Sequence, residues 1–378
     1  MKRKHLIIGC GAAGLAAAQE IRSLSPEDEI VLITKEKHLP YSIAALPYLI
    51  SGKMKESDLW LADEDYLSEM GYDLIRGKEV ARVHPEEKRL TYKDGGSESY
   101  DRLLIASGSE PIKSDIRGLE EASPLVFHTL EDYHLLQQRL LNSKDVAIYG
   151  GGLVATALAV ALLEAGYRVK IIVRSRVLRR YFDQDAGDII EKILANSGAD
   201  IYKGQVIDEL RRTGERVEIA LPDGTCLDAD ILVIALGVKP VTSLLAGTGI
   251  KLNDGVVVDS RMRTNIEDIY AAGDVAEAPE FFTGGLGLGL ILPSAVSQGR
   301  AAGSNMAGKA ITDEGWLSMN VFNLLGHRAL SIGMAVGNDG QVLMEKDEER
   351  KQFKKLTFNG DRLVGAAFLN LDVDPGVF

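Results

Sequence analysis

The stretch HLIIGCGAAGLAAAQ, residues 5–19, decides how the beginning of the chain folds. Its apolar residues 6–8 have the composition of a buried strand, and the small residues that close the stretch favour a helix. Between the two lie Gly9, Gly11 and Gly14, spaced as GxGxxG. These glycines permit a tight turn, a close approach of the backbone to a pyrophosphate and close packing of the helix on the strand. The stretch is therefore a dinucleotide-binding fingerprint, with the phosphates expected at the helix N-terminus.

A single GxGxxG also occurs in strand-turn-helix segments that bind nothing, so its repetition matters. Residues 146–163, VAIYGGGLVATALAVALL, place Gly150 and Gly152 as in the first copy and Ala155 at the third position. The Asp-Gly pair at 94–95 returns at 223–224, and the motif IASG returns as IALG, each 129 residues later. The sequence therefore predicts a duplicated domain and two bound nucleotides.

Length, charge and cysteine content limit the remaining classes. The 378 residues suffice for two or three domains, and 46% hydrophobic residues provide for sizeable cores. A formal net charge of −12 argues against binding to nucleic acid or to an anionic membrane. Cys10 and Cys226 cannot form a disulfide framework and show no CxxC spacing, so a cytoplasmic protein is expected. No metal site is predicted.

The N-terminal and the repeated stretches each carry a competing signal. Lys2, Arg3 and Lys4 precede an apolar run that resembles a lipoprotein or signal-peptidase site. Cleavage there would remove the first strand and glycine turn, so the fingerprint explains the same residues better. The uncharged run 146–163 has the length of a membrane span, but its glycine cluster indicates a strand-helix junction.

An acidic residue about twenty positions past such a glycine turn normally holds the ribose hydroxyls. Thr34 occupies that place at the end of the predicted strand EIVLIT, and Glu36 follows two residues later. We expect Glu36 to hold the ribose. A solvated turn formed with Lys35 is the alternative.

The motifs GCGAAG, LLIASGS, GGGLVA, IALGVKP and IYAAGDV follow one another in this order up to about residue 310. Together they resemble the pyridine nucleotide-disulfide oxidoreductase family. Within it, HLPY at 38–41 and the spacing of the second nucleotide domain are most similar to rubredoxin reductases, NADH oxidases and the flavin module of nitrite reductase. The resemblance implies an α/β fold with two Rossmann-like dinucleotide-binding domains, arranged as in glutathione reductase, and a small α+β C-terminal domain.

The resemblance also implies domain boundaries and site residues. It places an FAD domain at 1–112 and 243–318, an NAD(P) domain at 113–242, and an interface domain, shortened in this sequence, at 319–378. In the family, the aspartate at the position of Asp274 binds the ribityl chain, and the helix after Pro293 points its N-terminus at the flavin pyrimidine ring. The residues expected to contact FAD are Gly9, Gly11, Ala13, Gly14, Glu36, Ser107, Gly108, Asp274, Pro293 and Ser294. Those expected to contact NAD(P) are Gly150, Gly152, Leu153, Val154, Arg174, Arg180 and Gly237.

The segment after the second nucleotide strand bears on the choice between NADPH and NADH. Arg174 stands where an NAD-binding protein has an acid, and Arg180 completes a pair similar to the one that holds the 2′-phosphate in glutathione reductases. Guanidinium forks suit a phosphate dianion, so NADPH is favoured. The basic cluster consists of Lys170, Arg174, Arg176, Arg179 and Arg180. A basic surface without a ligand is the alternative, and Arg176 and Arg179 are expected to face solvent.

Two features depart from the family. Its redox cysteines would fall near residue 44, where the chain has Ala44 and Ala45, so disulfide reductases are disfavoured. A lysine and a glutamate that pair beside the flavin in related reductases are replaced by Tyr48 and Ala157. Tyr48 is therefore the residue expected near the reacting part of the flavin.

These expectations define two functional hypotheses. The first is an FAD-dependent NAD(P)H:acceptor oxidoreductase, in which hydride passes to the flavin and electrons leave to a partner protein or to an iron-sulfur or other metal centre. Such a protein would be a homodimer or a subunit of a complex. The alternative is a non-catalytic FAD-binding subunit or redox sensor, which the missing lysine-glutamate pair would favour. The sequence does not identify the acceptor.

Overall fold

The computed structural model describes residues 2–337 and 340–374. Its helices are α1 (Ala12–Leu24), α2 (Leu46–Ile50), α3 (Glu64–Glu69), α4 (Leu119–Ala122), α5 (Leu130–Leu140), α6 (Leu153–Glu164), α7 (Gln184–Asn196) and α8 (Leu292–Met306). Its strands are β1 (Lys4–Ile8), β2 (Glu29–Thr34), β3 (Tyr72–Arg76), β4 (Val80–His84), β5 (Arg89–Tyr92), β6 (Ser97–Ser99), β7 (Arg102–Ile105), β8 (Ser109–Pro111), β9 (Asp145–Tyr149), β10 (Arg168–Val173), β11 (Ala199–Lys203), β12 (Glu209–Thr213), β13 (Arg216–Ala220), β14 (Cys226–Ala229), β15 (Ile231–Ile234), β16 (Val238–Pro240), β17 (Val256–Val257), β18 (Ile269–Ala271), β19 (Ala276–Pro279), β20 (Leu286–Leu288), β21 (Met319–Leu324), β22 (His327–Gly333), β23 (Gln341–Asp347), β24 (Gln352–Asn359) and β25 (Arg362–Leu369).

Contacts within the chain define two units. The first unit comprises Met1–Ala44, Glu56–Glu110 and Lys239–Leu317, and the second comprises Ala45–Lys55, Pro111–Val238 and Ser318–Phe378.

The first unit is built on a parallel sheet with the strand order β18-β7-β1-β2-β3. Leu6, Ile7 and Leu32, in its middle strands, are fully buried. Continuous apolar strands of this kind are typical of a parallel sheet that is covered on both faces. A separate antiparallel sheet contains β4, β5 and β6, and its β5-β6 hairpin turns at Asp94-Gly95, as the sequence predicted.

Helices α1 and α8 pack against each other through glycine. A Cβ added at Gly299 would lie 2.3 Å from the carbonyl oxygen of Ala13, and one at Gly303 would lie 2.5 Å from that of Ala17. Only glycine lets the two helix backbones approach this closely. The beginning of α8 is thereby fixed beside the glycine turn that opens α1.

The second unit repeats the arrangement with the parallel sheet β11-β10-β9-β15 and the antiparallel sheet β12-β13-β14. Its strand order is the same as that of four strands in the first parallel sheet, as expected of a duplicated domain. In this comparison β9, β10, β11 and β15 correspond to β1, β2, β3 and β7. The run 146–163 forms β9, a glycine turn and α6. Among the described residues, no helix is long and apolar enough to cross a membrane.

The second unit also contains an antiparallel sheet from the C-terminal part of the chain, in the order β21-β22-β25-β24-β23. Strand β24 alternates between buried and partly exposed positions, and its buried residues are Phe353, Lys355 and Thr357. The α/β class is therefore confirmed, and the structure gives the C-terminal part as strands where the sequence predicted α+β. The expected end of that domain, residues 375–378, lies outside the described residues.

Candidate functional site

Four loops meet at the carboxyl edge of the first parallel sheet. They follow β1, β2, β7 and β18, which end at Ile8, Thr34, Ile105 and Ala271. Backbone hydrogen bonds tie the loops together, from Gly9 N to Ile33 O at 2.7 Å and from Ala272 N to Ile105 O at 3.1 Å. The predicted FAD residues in these four loops are thus brought to one edge. Ligands bind at such an edge in open α/β sheets.

The glycine turn after β1 has the form of a phosphate cradle. Gly9 has φ +105°, and a Cβ there would lie 2.0 Å from Ala106 O; one at Gly14 would lie 2.1 Å from Gly9 O. At Gly11, in contrast, a Cβ would meet no atom within 4 Å. Gly9 and Gly14 are therefore required by the fold, whereas Gly11 leaves open space in front of the helix.

The beginning of α1 lacks the usual capping groups. Its N-cap, Gly11, makes no side-chain hydrogen bond, and no acid lies in its first turn. Helix α5 begins instead with a capping box at Thr129 and with Glu131 and Asp132 in its first turn. An uncapped, acid-free helix end beside open space suits a phosphate, because free N–H groups and the helix dipole favour negative charge. The pyrophosphate of a dinucleotide such as FAD fits this donor set.

Asp274 lies at the same edge, after β18. The Ser109 hydroxyl donates to its Oδ2 at 2.7 Å. Gly273, the residue before it, donates its N–H to Oε1 of the buried Gln298 in α8 at 2.9 Å. Ser109 at the start of β8 thus holds the Asp274 carboxylate, and Gln298 in α8 holds the backbone just before it. Ser109 was not among the predicted residues, because a serine two positions past the IAS turn carries no signal of its own.

Glu36 lies just past the end of β2, as predicted, and is half-buried. The Tyr41 hydroxyl donates to its Oε2 at 2.7 Å. Ser107 uses its hydroxyl to donate to Val241 O at 2.8 Å, so the side chain serves the fold. Gly108 has φ +70° with open space around it. Glu36 and Gly108 thus lie at the same sheet edge as the glycine turn, and their role toward a nucleotide stays a prediction.

Helix α8 begins with Leu292, followed by Pro293 and the buried Ser294. Its N-cap, Ile291, makes no side-chain hydrogen bond, and its first turn has no acid. The first turn lies near Gly273, where an added Cβ would be 3.8 Å from the Cβ of Ala295. The sheet edge therefore has a second uncapped helix end with a positive dipole.

The second unit reproduces the cradle. Gly150 has φ +145°, and a Cβ there would lie 2.1 Å from Ala235 O, whereas one at Gly152 would meet no atom within 4 Å. Gly152 caps α6 without a side-chain bond, and the first turn, which contains Leu153 and the exposed Val154, has no acid. Gly237, with φ +114°, follows β15 at the same edge. This second turn and helix start thus have the same form as the first, with donors that would suit a dinucleotide phosphate.

Arg174 and Arg180 both lie on one loop, residues 174–183, which we call the arginine loop. It follows β10 at the carboxyl edge of the second sheet, and both side chains are exposed. Leu178 N donates to Gly151 O at 2.7 Å, which seats the loop against the glycine turn. A Cβ at Gly151 would lie 2.6 Å from Val173 Cγ2. Gly151 is thus a further required glycine, which the GxGxxG spacing does not reveal.

Two members of the predicted basic cluster lie elsewhere. Lys170 points to the opposite end of the strands, with its Nζ 3.9 Å from Oδ1 of Asp145 at the start of β9. Arg176 is partly exposed, with its Nη1 donating to Phe182 O at 3.0 Å and its Nη2 to Arg179 O at 3.4 Å. Lys170 therefore lies apart from the predicted cluster, Arg176 faces solvent only in part, and Arg174, Arg179 and Arg180 are the exposed members.

Tyr48 lies in α2, in the second unit, and is about half exposed. This short helix packs against α5 and α6. An ion pair between Lys53 Nζ and Glu164 Oε1, 2.6 Å apart, joins its end to α6. A 3-10 turn, Ile43–Ala45, precedes it, in which Ala44 is exposed and Ala45 is buried.

The two cysteines lie in different surroundings. Cys10, in the first glycine turn, is buried, and burial raises the pKa of its thiol to about 11. A thiol of that pKa is protonated at neutral pH and is a poor nucleophile. Cys226 is exposed, at the start of β14. A thiolate relay at the first glycine turn is thus disfavoured on physical grounds.

The family model described as pyridine nucleotide-disulphide oxidoreductase matches residues 3–299. This chain belongs to that family. Its members and structural neighbours bind FAD with NADH or NADPH, and the chain is an FAD-dependent NAD(P)H oxidoreductase. The resemblance inferred from the five motifs is confirmed.

Three comparisons place the chain within the family. The epsilon subunit of NADH-dependent phenylglyoxylate dehydrogenase from Aromatoleum evansii is 35% identical over 99% of this chain and 90% of its own length. NADH:rubredoxin oxidoreductase from Clostridium acetobutylicum superposes with a TM-score of 0.80 at 25% identity, over 98% of this chain and 92% of that one. An engineered NADPH oxidase, solved with NADPH, has a TM-score of 0.90 at 24% identity, over 98% and 88%, which shows a shared fold.

Proposed function

We propose that this chain takes electrons from NADPH and delivers them, through bound FAD, to a separate redox protein or iron-sulfur centre. The observation that carries the proposal is the pair of matching cradles. A Cβ added at Gly9 or at Gly150 would lie about 2 Å from a backbone carbonyl oxygen. A Cβ added at Gly11 or at Gly152 would meet no atom within 4 Å. Two cradles provide for two dinucleotides, one as resident cofactor and one as reductant.

The first cradle fits FAD. Gly11 and the uncapped end of α1 would hold the pyrophosphate, Glu36 the adenosine ribose, and Asp274, set by Ser109, the ribityl hydroxyls. The uncapped end of α8, with Pro293 and Ser294, would favour negative charge on the ring system. When bound, FAD accepts a hydride from the nicotinamide and passes electrons on singly.

The second cradle would hold the nicotinamide nucleotide, and its surroundings favour NADPH. The engineered NADPH oxidase was made from a water-forming NADH oxidase of Lactobacillus brevis by five substitutions that introduce alanine, alanine, arginine, serine and arginine at intervals of 18, 1, 1 and 5 positions. This chain has Ala155, Val173, Arg174, Ser175 and Arg180 at the same intervals. Four of the five residue types agree, including both arginines. This spacing supports a 2′-phosphate site at Arg174 and Arg180.

The electron acceptor is external in this proposal. Cys10 is buried with a raised pKa, and alanines fill the positions of the family's redox cysteines. One relative is named as a subunit of a larger dehydrogenase and another as a rubredoxin reductase. An acceptor of the iron-sulfur or rubredoxin class fits this chain best, with the chain as a subunit or a homodimer.

We also propose the domain boundaries and the cellular compartment of this chain. The FAD domain would consist of 1–112 with 243–318, the NAD(P) domain of 113–242 and the C-terminal domain of 319–378, with Tyr48 near the flavin. The two free cysteines support a reducing compartment, so we place the protein in the cytoplasm.

A panel of electron acceptors tests this function. With NADPH as donor, we expect turnover of ferricyanide and of a one-electron carrier such as a rubredoxin or a [2Fe–2S] ferredoxin. Oxidised glutathione and coenzyme A disulfide should not be reduced. Alkylation of the native protein with iodoacetamide at neutral pH should modify Cys226, leave Cys10 intact and leave the rate unchanged.

The same panel separates the competing functions. Turnover of a disulfide substrate, or loss of activity when the thiols are alkylated, would contradict the proposal. The Cys226→Ser variant, alkylated in parallel, serves as control, because it has no exposed thiol to react. A protein that holds FAD but reduces no acceptor would be the non-catalytic subunit or redox sensor.

A further inference from the structure

The arginine loop is anchored from the C-terminal sheet. Ser331 Oγ, in β22, donates to the carbonyl oxygen of Tyr181 at 2.8 Å. The ring of Phe322, in β21, packs against those of Tyr181 and Phe182, with centroids 6.3 and 6.2 Å away. Phe182 is fully buried as a result. The two residues that follow Arg180 are thus held by a sheet that lies about 150 residues later in the sequence.

An ion pair between a fully buried lysine and a partly exposed aspartate joins the same two elements. Lys355, in β24, is fully buried, and its Nζ donates to Oδ2 of Asp183 and to the carbonyl oxygen of Gly337. Gly337 N in turn donates to Oδ1 of Asp183 at 3.1 Å. Asp183 is the last residue of the arginine loop and the N-cap of α7. A buried charge persists only when it is paired and hydrogen-bonded, so this pair fixes one register of sheet against loop.

The loop needs such support, because its own backbone is not in a relaxed conformation. Leu178 has φ +53°, a left-handed conformation that is unfavourable for a leucine. It is fully buried, and its N–H is bonded to Gly151. Conformations of this kind persist where the surrounding structure determines them. The loop shape is therefore imposed from both sides, by the glycine turn and by the C-terminal sheet.

We propose that the C-terminal sheet is a positioning device for nucleotide selection, in which Lys355 and Ser331 hold Arg180 in place to bind the 2′-phosphate of NADPH. This inference rests on the proposed use of Arg174 and Arg180. Arg174 follows β10 directly and is positioned by that strand, whereas Arg180 lies six residues into the loop. Its position depends on the anchored Tyr181-Phe182 segment. Lys355 touches no nucleotide in this account and acts only through the loop.

The test is direct binding of adenosine 2′,5′-bisphosphate and of 5′-AMP to the flavin-loaded full chain, measured by calorimetry. The two ligands differ only in the 2′-phosphate. Lys355→Met should weaken the bisphosphate by about tenfold, which is the loss of about 1.4 kcal/mol. It should change 5′-AMP by less than about twofold, because the adenosine and 5′-phosphate contacts remain. Ser331→Ala, a milder change, should weaken the bisphosphate by about threefold with 5′-AMP unchanged.

Lys346→Met is the matched control. Lys346 also joins the C-terminal sheet to α7, with its Nζ 3.0 Å from Oδ1 of Asp185, but this pair is partly exposed and lies beyond the arginine loop. Its loss should leave the binding of both ligands unchanged. Equal weakening of both ligands by Lys355→Met, or no weakening of the bisphosphate, would overturn the inference. If Lys355→Met does not fold, Ser331→Ala decides, and unchanged bisphosphate binding in that variant overturns it.

The Arg180→Ala variant separates this inference from the proposed function. If Arg180→Ala weakens the bisphosphate and Lys355→Met does not, the NADPH site stands and the positioning role fails. If the wild-type chain binds both ligands equally, the proposed 2′-phosphate site fails, and the positioning role fails with it.

Discussion

The glycines of each turn serve different purposes, residue by residue. Gly9 and Gly14 are required because a Cβ at either would lie about 2 Å from a carbonyl oxygen. Gly11 faces open space, and any restriction there comes from the ligand. Ala155, at the third position of the second turn, is buried, so this turn accommodates a Cβ where the first turn requires glycine. The same motif thus combines fold requirements and ligand requirements.

Replacing Arg174 and Arg180 together by alanine should weaken NADPH by at least roughly a hundredfold, because each charge-assisted hydrogen bond contributes about 1.5–3 kcal/mol. NADH, which lacks the 2′-phosphate, should bind as before. Steady-state KM values for the two nucleotides, with ferricyanide as acceptor, measure the difference. Arg179→Ala is the control, because Arg179 is exposed on the same loop. An equal loss of affinity for NADPH and NADH would show that Arg174 and Arg180 stabilise the fold and do not bind the 2′-phosphate.

For single residues, the sequence predicts which residue types recur at which spacing. It says less about the direction in which each side chain points. Lys170 is four residues before Arg174, and in a strand that distance is about 13 Å, so Lys170 lies toward the other end of the sheet beside Asp145. Arg176 was expected to face solvent, but the loop turns back and brings its guanidinium to the Phe182 carbonyl. Both differences come from treating a run of charges as one surface.

The helices that carry the sites begin alike, and the short helix α2 begins in the same way. Helices α1, α6 and α8 have no side-chain cap and no acid in the first turn. A site hypothesis could be drawn from sequence for α1 and α6, because Gly11 and Gly152 stand where a serine, threonine or aspartate cap would be. The close packing of α8 on α1 could not be predicted from the sequence, because Gly299 and Gly303 lie about 280 residues away from the helix that they contact.

Gly299→Ala should separate α8 from α1. Its new Cβ would lie 2.3 Å from Ala13 O, and overpacking of this kind costs roughly 1–3 kcal/mol. We expect a lower thermal midpoint and less bound flavin after purification, because α8 also positions Gly273 through Gln298. Thermal melting and the flavin-to-protein absorbance ratio measure both.

Gly187→Ala, in α7, is the matched control for that prediction. A Cβ there meets only the flexible side chain of Arg176, at 3.4 Å. Alanine is favoured over glycine inside a helix by about 0.5–1 kcal/mol, so this variant should melt at the same temperature or higher. A Gly299→Ala protein as stable as the wild type would show that α8 can move without loss.

For the whole molecule, duplication and one appended sheet explain most of the architecture. The repeated turns and the Asp-Gly hairpins predicted a duplicated domain, and the two Rossmann-like domains followed from the resemblance to the family. The role of the C-terminal sheet could not be predicted, because the contacts of Phe322, Ser331 and Lys355 with the arginine loop join segments that share no motif. The ion pair of Lys355 with Asp183 could not be predicted from the sequence, because a lysine in a strand is normally expected to be exposed.

The stability of the protein should fall at mildly acid pH because of His5. This residue is fully buried in β1, with its Nε2 2.9 Å from Oδ2 of Asp28, and burial lowers its pKa below 6.5 despite that carboxylate. The unfolded chain therefore binds a proton that the folded chain excludes. The contribution of His5 to stability is complete above pH 6.5 and is lost progressively as the pH falls below that value. The thermal midpoint of the wild type should drop between about pH 6.5 and 5 more steeply than that of His5→Gln; parallel curves would contradict the assignment.

Anaerobic titration of the flavin-loaded protein with NADPH tests whether this chain passes electrons from the nicotinamide to FAD. In an active oxidoreductase the nicotinamide reduces the flavin, so an equimolar amount of NADPH should bleach the flavin absorbance band. Addition of ferricyanide should then reoxidise the flavin and restore the band. NADH should do the same at higher concentration. A flavin band that neither NADPH nor NADH bleaches would contradict the account and leave a protein that binds FAD without using it.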